Sequence, residues 1–130
     1  MSNELKLSLE KLNKAVKKLD EGVKMSKDQL DRDGVIQRFE FTFELSWKTL
    51  RLFLIDQGII TKSPKDALKE AFKYGLIKDE NIYLDMLEDR NQTSHIYNEE
   101  ISKGIYSRIK KYYSPVMLKL VKEIKKEANK

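Results

Sequence analysis

A leucine–valine stripe near the N-terminus sets the first constraint. Leu5, Leu9, Leu12, Val16, Leu19 and Val23 recur at alternating steps of four and three. That is the period of one helical face, not the two-residue period of a half-buried strand. Lys11, Lys14, Lys17 and Lys18 fall largely off the stripe, so the segment reads as an amphipathic helix whose apolar side needs a partner. The period returns at Ile36, Phe39, Phe43, Trp47, Leu50 and Leu54, which predicts a second helix over 34–56. Phe41, Leu45 and Leu52 lie off that second stripe, and a helix apolar on more than one face is either central or covered by a second chain. With only five glycines and two prolines in 130 residues, the chain is poor in the turns that sandwiches and barrels require.

Local signals place the remaining elements. A stretch holding Ser26, Asp28, Asp31, Asp33 and Gly34 is expected to break the first helix from the second. Glu44 and Lys48 are spaced for a helical ion pair, and Gly58 reads as a C-terminal cap. Ser63 as N-cap, Pro64 at the first helical position and Asp66 near the N-terminal dipole predict a short helix. Its Ala67, Leu68, Ala71 and Phe72 should face inward, with Gly75 ending it and Leu76 making the capping contact. A fourth helix begins near Asp79 with Ile82, Tyr83, Met86 and Leu87, and the polar run Asn91-Gln92-Thr93-Ser94 should end or distort it. Asn98 is a plausible cap for a fifth helix with Ile101, Ile105, Ile109 and Tyr112 as its stripe. Ser114-Pro115 either kinks that helix or starts a sixth, and Val116, Leu120 and Ile124 continue the apolar face. The expected fold is all-α: an up-and-down four-helix bundle with one short extra helix, forming one domain over residues 1–130.

Composition narrows the function classes. At 15.3 kDa the chain can bury roughly two-thirds of its unfolded surface. Hydrophobic residues at 40% and charged residues at 36% describe a globular protein with a densely charged surface. The absence of cysteine excludes disulfides and thiolate metal sites and fits a reducing, cytoplasmic setting. No apolar run approaches the roughly 20 residues that span a bilayer, so no membrane partner is expected. Met1 to Lys11 carries no signal-peptide core. Residues 1–96 hold 17 basic and 17 acidic side chains, whereas residues 97–130 hold nine and four. The whole +5 excess therefore sits in the last quarter, either as a basic surface for phosphates or RNA or as the solvated face of a lysine-rich helix.

The single histidine, His95, is the one obvious acid–base group near neutral pH. It closes the pattern Arg90-Asn91-Gln92-Thr93-Ser94-His95-Ile96-Tyr97. In an unbroken helix Arg90 and His95 would stand about 140° apart, so they converge only if the backbone turns between them. Converged, Arg90 offers a two-pronged positive charge for phosphate oxygens, His95 exchanges a proton, and Asn91 holds the imidazole or a ribose hydroxyl. The plain alternative is a polar helix end: Arg90 pairs with Asp85, Glu88 or Asp89, His95 caps or packs, and Tyr97 is an ordinary half-buried aromatic. The five acids Asp79, Glu80, Asp85, Glu88 and Asp89 would repel phosphate unless they point away or pair. Asp85, Glu88 and Asp89 share a face that could hold a cation, or serve as a solvated face or a docking surface for a basic partner. None of Gly22, Gly34, Gly58, Gly75 or Gly104 precedes a serine, so the chain lacks the Gly-Ser turn of a nucleotidyltransferase active site.

Two stretches, Gly34 to Lys48 and Leu84 to Tyr97, together with the Ser63-Pro64 helix, resemble the HEPN-type proteins encoded beside minimal nucleotidyltransferases. These are called nucleotidyltransferase substrate-binding proteins and overlap the HepT toxins. The second stretch contains the superfamily pattern Arg-x4-His, with Asn directly after the Arg and x-Tyr following. The resemblance implies a helical homodimer in which the motifs of two chains face one cleft. It implies an endoribonuclease that uses neither metal nor cofactor, in which the ribose 2′-hydroxyl attacks the adjacent phosphate and leaves a 2′,3′-cyclic phosphate. On that pattern His95 acts as general base or acid, Arg90 stabilises charge on the pentacoordinate phosphate, and Asn91 orients substrate or imidazole. Tyr97 falls where a partner nucleotidyltransferase antitoxin attaches AMP. A two-fold dimer would supply two histidines, one base and one acid, and would cover surplus apolar surface of the second helix. The competing classes are a non-catalytic adaptor that presents substrate to a nucleotidyltransferase, and a structural bundle with a buried or ion-paired His95.

Overall fold

Two caps decide where the first pair of helices turns. In the computed structural model, which describes residues 1–130, the Ser2 side chain accepts from the Leu5 N–H and opens α1 (Asn3–Met25). Asp28 accepts from the Asp31 N–H and opens α2 (Gln29–Asp56). The expected break is thus confined to Ser26–Asp28, and Asp31, Asp33 and Gly34 lie inside α2. The cause is local: Asp31 reaches back to the Lys27 N–H at 3.0 Å, so two orphan donors are satisfied before Gly34 is reached. The same device recurs at the short helix α3 (Pro64–Tyr74), where Ser63 accepts from Asp66 N–H and Asp66 from Lys62 N–H.

α1 and α2 form an antiparallel hairpin. The Ser2 N–H donates to Asp56, the hydroxyls of Ser8 and Thr49 share a hydrogen bond, and Arg38 Nη1 donates to the Lys18 carbonyl at 2.7 Å. These pairs run in opposite directions along the two helices. Thr42, Ser46 and Thr49 face this seam, buried, each donating to the carbonyl four residues back at 2.6, 2.8 and 2.6 Å. Their hydroxyls are satisfied within α2, which leaves a flat face for α1.

α4 (Glu80–Gln92) follows Asp79, whose side chain accepts from the Ile82 N–H. A 3₁₀ turn over Thr93–His95 ends it, and Asn98 caps α5 (Glu99–Arg108). α5 runs through a π turn, Ile109–Tyr113, into α6 (Ser114–Ala128). Proline at 115 has no N–H and would press on the carbonyl four residues earlier in a regular helix. The chain relieves that conflict by widening: the Ser114 N–H reaches the Ile109 carbonyl, five residues back. The widened turn shifts the inward register by one residue. Tyr113, not the expected Tyr112, is buried, and Met117 rather than Val116 follows it; Tyr112 is 46% exposed.

The architecture is all-α, with four main helices (α1, α2, α4 and the α5–α6 rod) and the short α3, as expected. α2 is central and packs against every other helix. The core draws on all of them, and Phe39 of α2 stacks on Tyr113 at 5.4 Å between ring centroids. Gly75 ends α3 at φ 91° and Leu76 is buried behind it, while Phe72, expected inside, lies at the margin of the stripe and is 38% exposed. Of the off-stripe residues of α2, Leu45 and Leu52 pack against the core and Phe41 is 63% exposed.

Candidate functional site

The acid-rich helix α4 disperses its carboxylates. Asp79 is spent as the cap. Asp89 turns inward, 7% exposed, and accepts from Arg108 Nε at 2.6 Å, Arg108 Nη2 at 2.9 Å and the Tyr113 hydroxyl at 2.5 Å. Burial first, and the bond to Asp89 second, push the Tyr113 phenol well above its usual range. The same carboxylate raises the Arg108 guanidinium, chiefly through their hydrogen bond. The face shared by Asp85, Glu88 and Asp89 therefore makes no cation site, because Asp89 is committed to the interior and no three potential ligands converge. Asp85 and Glu88 face solvent.

Arg90 does not pair with Asp85, Glu88 or Asp89. Its Nε donates to Glu44 Oε1 of α2 at 2.8 Å. The other oxygen of Glu44 accepts from Trp47 Nε1 at 3.1 Å. The expected Glu44–Lys48 pair does not form, since Glu44 is drawn to the interhelical cation, and Lys48 lies 6.0 Å over the Trp47 ring. One turn earlier on α2, Glu40 holds the Thr93 hydroxyl, which also lies 2.7 Å from the Arg90 carbonyl. Two carboxylates of α2 thus grip both ends of the segment Arg90–Thr93.

Past that grip the backbone tightens. Residues three apart eclipse in a 3₁₀ turn, which sets His95 on the face of Gln92 and leaves Arg90 on the face toward α2. His95 is exposed and packs edge-on against Tyr97, with centroids 6.0 Å apart and planes at 75°. Tyr97 is 84% exposed rather than half-buried, and Asn91 is exposed too. Ile96, partly buried between them, pins the turn to the core. Beside it opens a groove of 420 Å³ lined by Leu30, Gly34, Gln37, Glu40, Thr93 and Ile96 among others.

The structure thus brings His95 and Tyr97 together on an open turn, while no hydrogen bond joins Arg90 to His95. The exposed, unpaired imidazole departs from the buried or ion-paired one that a purely structural bundle requires. Sequence reasoning missed Glu40, Glu44 and Trp47 as site residues. One signal could have found them: two acids a turn apart, in Phe-Glu-Phe and Phe-Glu-Leu, within an otherwise apolar stretch.

The protein is an all-α bundle with its one histidine and Tyr97 exposed on the turn after α4. The chain belongs to the family described as nucleotidyltransferase substrate binding protein like, whose model matches residues 3–126. A Haemophilus influenzae protein named probable ribonuclease HepT is 38% identical over 81 residues, 58% of this chain. That match spans only 56% of the length of the relative. A crystal structure from Thermus thermophilus superposes with a TM-score of 0.77 at 32% identity, covering 92% of this chain and 99% of the other. A second solved structure, from Haemophilus influenzae and described as the fold of a substrate binding domain of a nucleotidyltransferase, superposes with a TM-score of 0.68 at 28% identity over 95% and 98% of the two chains. No helix is long and apolar enough to cross a membrane.

Proposed function

We propose that the chain is a HepT-like endoribonuclease and the toxin of a pair whose antitoxin is a minimal nucleotidyltransferase. The observation that carries this reading is the open turn at the end of α4, where exposed His95 packs against Tyr97, five residues after an arginine braced by α2. In the proposed reaction a ribose 2′-oxygen bonds to the adjacent phosphorus and loses its proton to an imidazole. The bond to the 5′-oxygen breaks, and a second imidazole protonates that oxygen. Arg90 balances the charge on the non-bridging oxygens, and Asn91 orients the ribose or the ring. One chain has one histidine, so the second comes from a homodimer partner. Exposed Phe41 on α2 is apolar surface such a dimer would cover. In this reading the nucleotidyltransferase attaches AMP to Tyr97, whose exposure supports it, and an adenylate there would crowd His95.

Expression of the chain alone should slow growth, and His95→Ala should abolish the effect; an equally toxic alanine variant would end the catalytic reading. Co-expression with the neighbouring nucleotidyltransferase should add the mass of one AMP, absent in Tyr97→Phe. A second reading, a non-catalytic adaptor subunit, draws support from the substrate-binding description of the solved relative. It predicts capture by the nucleotidyltransferase with no RNA cleavage.

A further inference from the structure

Glu44 is engaged on both oxygens, and the way it holds Arg90 carries a consequence. The contact is made through Nε alone; neither terminal nitrogen of Arg90 has a hydrogen-bond partner in the chain. Arg108 behaves differently, giving Asp89 both Nε and Nη2. A carboxylate that accepted the two-pronged edge of Arg90 would neutralise it as a ligand. One that takes only Nε fixes the guanidinium plane and leaves the Nη pair for another anion.

We propose that Glu44 is the positioning residue for Arg90, setting its guanidinium so that the two terminal nitrogens meet the non-bridging oxygens of the scissile phosphate. The proposal rests on the ribonuclease reading above. Trp47 completes the brace, because its indole N–H occupies the second Glu44 oxygen and stops the carboxylate from rotating toward the Nη edge. Thr93, whose hydroxyl donates to Glu40, anchors the other end of the segment to α2. The side chains of Arg90 and Glu44 are 33% and 32% exposed, so the pair is half-shielded yet open to a ligand. A preorganised guanidinium needs no reorganisation when charge develops on the phosphate, which is where such groups affect turnover most.

Glu44→Gln breaks the brace at constant size. The amide puts an NH2 where one carboxylate oxygen stood, so either Arg90 Nε or Trp47 Nε1 is left facing another donor. Steady-state cleavage of a single-stranded RNA should show kcat reduced roughly tenfold to a hundredfold in Glu44→Gln, with KM changed less than about threefold. Glu44→Asp, which keeps the charge, should recover part of that loss, and thermal unfolding should place both variants near the parent. Unchanged or faster turnover in Glu44→Gln would overturn the proposal, since Glu44 would then be idle or a competitor for Arg90. A kcat loss in which Glu44→Asp is as poor as Glu44→Gln would overturn it as well.

The single tryptophan separates this test from the nuclease reading. The indole N–H resonance of Trp47 should move in Glu44→Gln and also in Arg90→Ala. If the parent chain cuts no RNA, the nuclease reading fails and the indole signal still decides the brace: a resonance unmoved in both variants refutes it.

Discussion

The α1–α2 hairpin and the Arg90–Tyr97 end of α4 are built on opposite principles. In the hairpin, apolar stripes interlock and the buried hydroxyls of Thr42, Ser46 and Thr49 each donate within their own helix, so the core of the seam holds no ion pair. At the end of α4 three polar side chains are held from other elements: Arg90 by Glu44, Thr93 by Glu40, Asp89 by Arg108 and Tyr113. His95, Asn91 and Tyr97, the residues proposed to meet substrate and partner, are exposed. The first region stores stability. The second fixes geometry around an open turn, which is the arrangement expected of a reactive site on a rigid scaffold.

Substitutions that attack each region should separate these roles. Phe39→Ala removes a fully buried ring stacked on Tyr113 and should cost about 3–5 kcal/mol in chemical denaturation, the largest loss among these variants. Asp89→Ala strands the Tyr113 hydroxyl in the core and frees half-exposed Arg108 to solvent, so a smaller loss of about 2 kcal/mol is expected. Tyr113→Phe should cost about 1 kcal/mol at neutral pH. Because the phenols of Tyr113 and Tyr83 are both raised, the fold favours their neutral forms. Their contribution is then constant below about pH 10 and lost as pH rises beyond it, and Tyr113→Phe should flatten that alkaline decline. Phe41→Ser should leave stability within about 0.5 kcal/mol of the parent while shifting the mass measured by light scattering from that of the proposed dimer to that of a monomer. A dimer persisting in Phe41→Ser would remove that face from the proposed interface.

Legibility in the sequence follows the same division. The α1 stripe is readable because its period is uninterrupted and its partner is the next helix. Ser63, Pro64 and Gly75 are readable because capping is chemistry between near neighbours. The inward turn of Tyr113 is not, since the π turn that carries it depends on a conflict between Pro115 and the preceding helix. The start of α2 departs from expectation because the Asp28 cap outweighs the glycine at 34. The motif Arg90 to Tyr97 stands out in the sequence, but its brace does not: Glu44 lies 46 residues before Arg90, and local rules pair it with Lys48 instead.

Cleavage of a defined single-stranded RNA by the purified chain, with a chelator present, reaches the proposed chemistry most directly. The parent chain should yield fragments ending in 2′,3′-cyclic phosphate, and His95→Ala, with an unchanged unfolding midpoint, should yield none. Equal cleavage by parent and His95→Ala, or intact RNA with both, would contradict a reaction run by this imidazole.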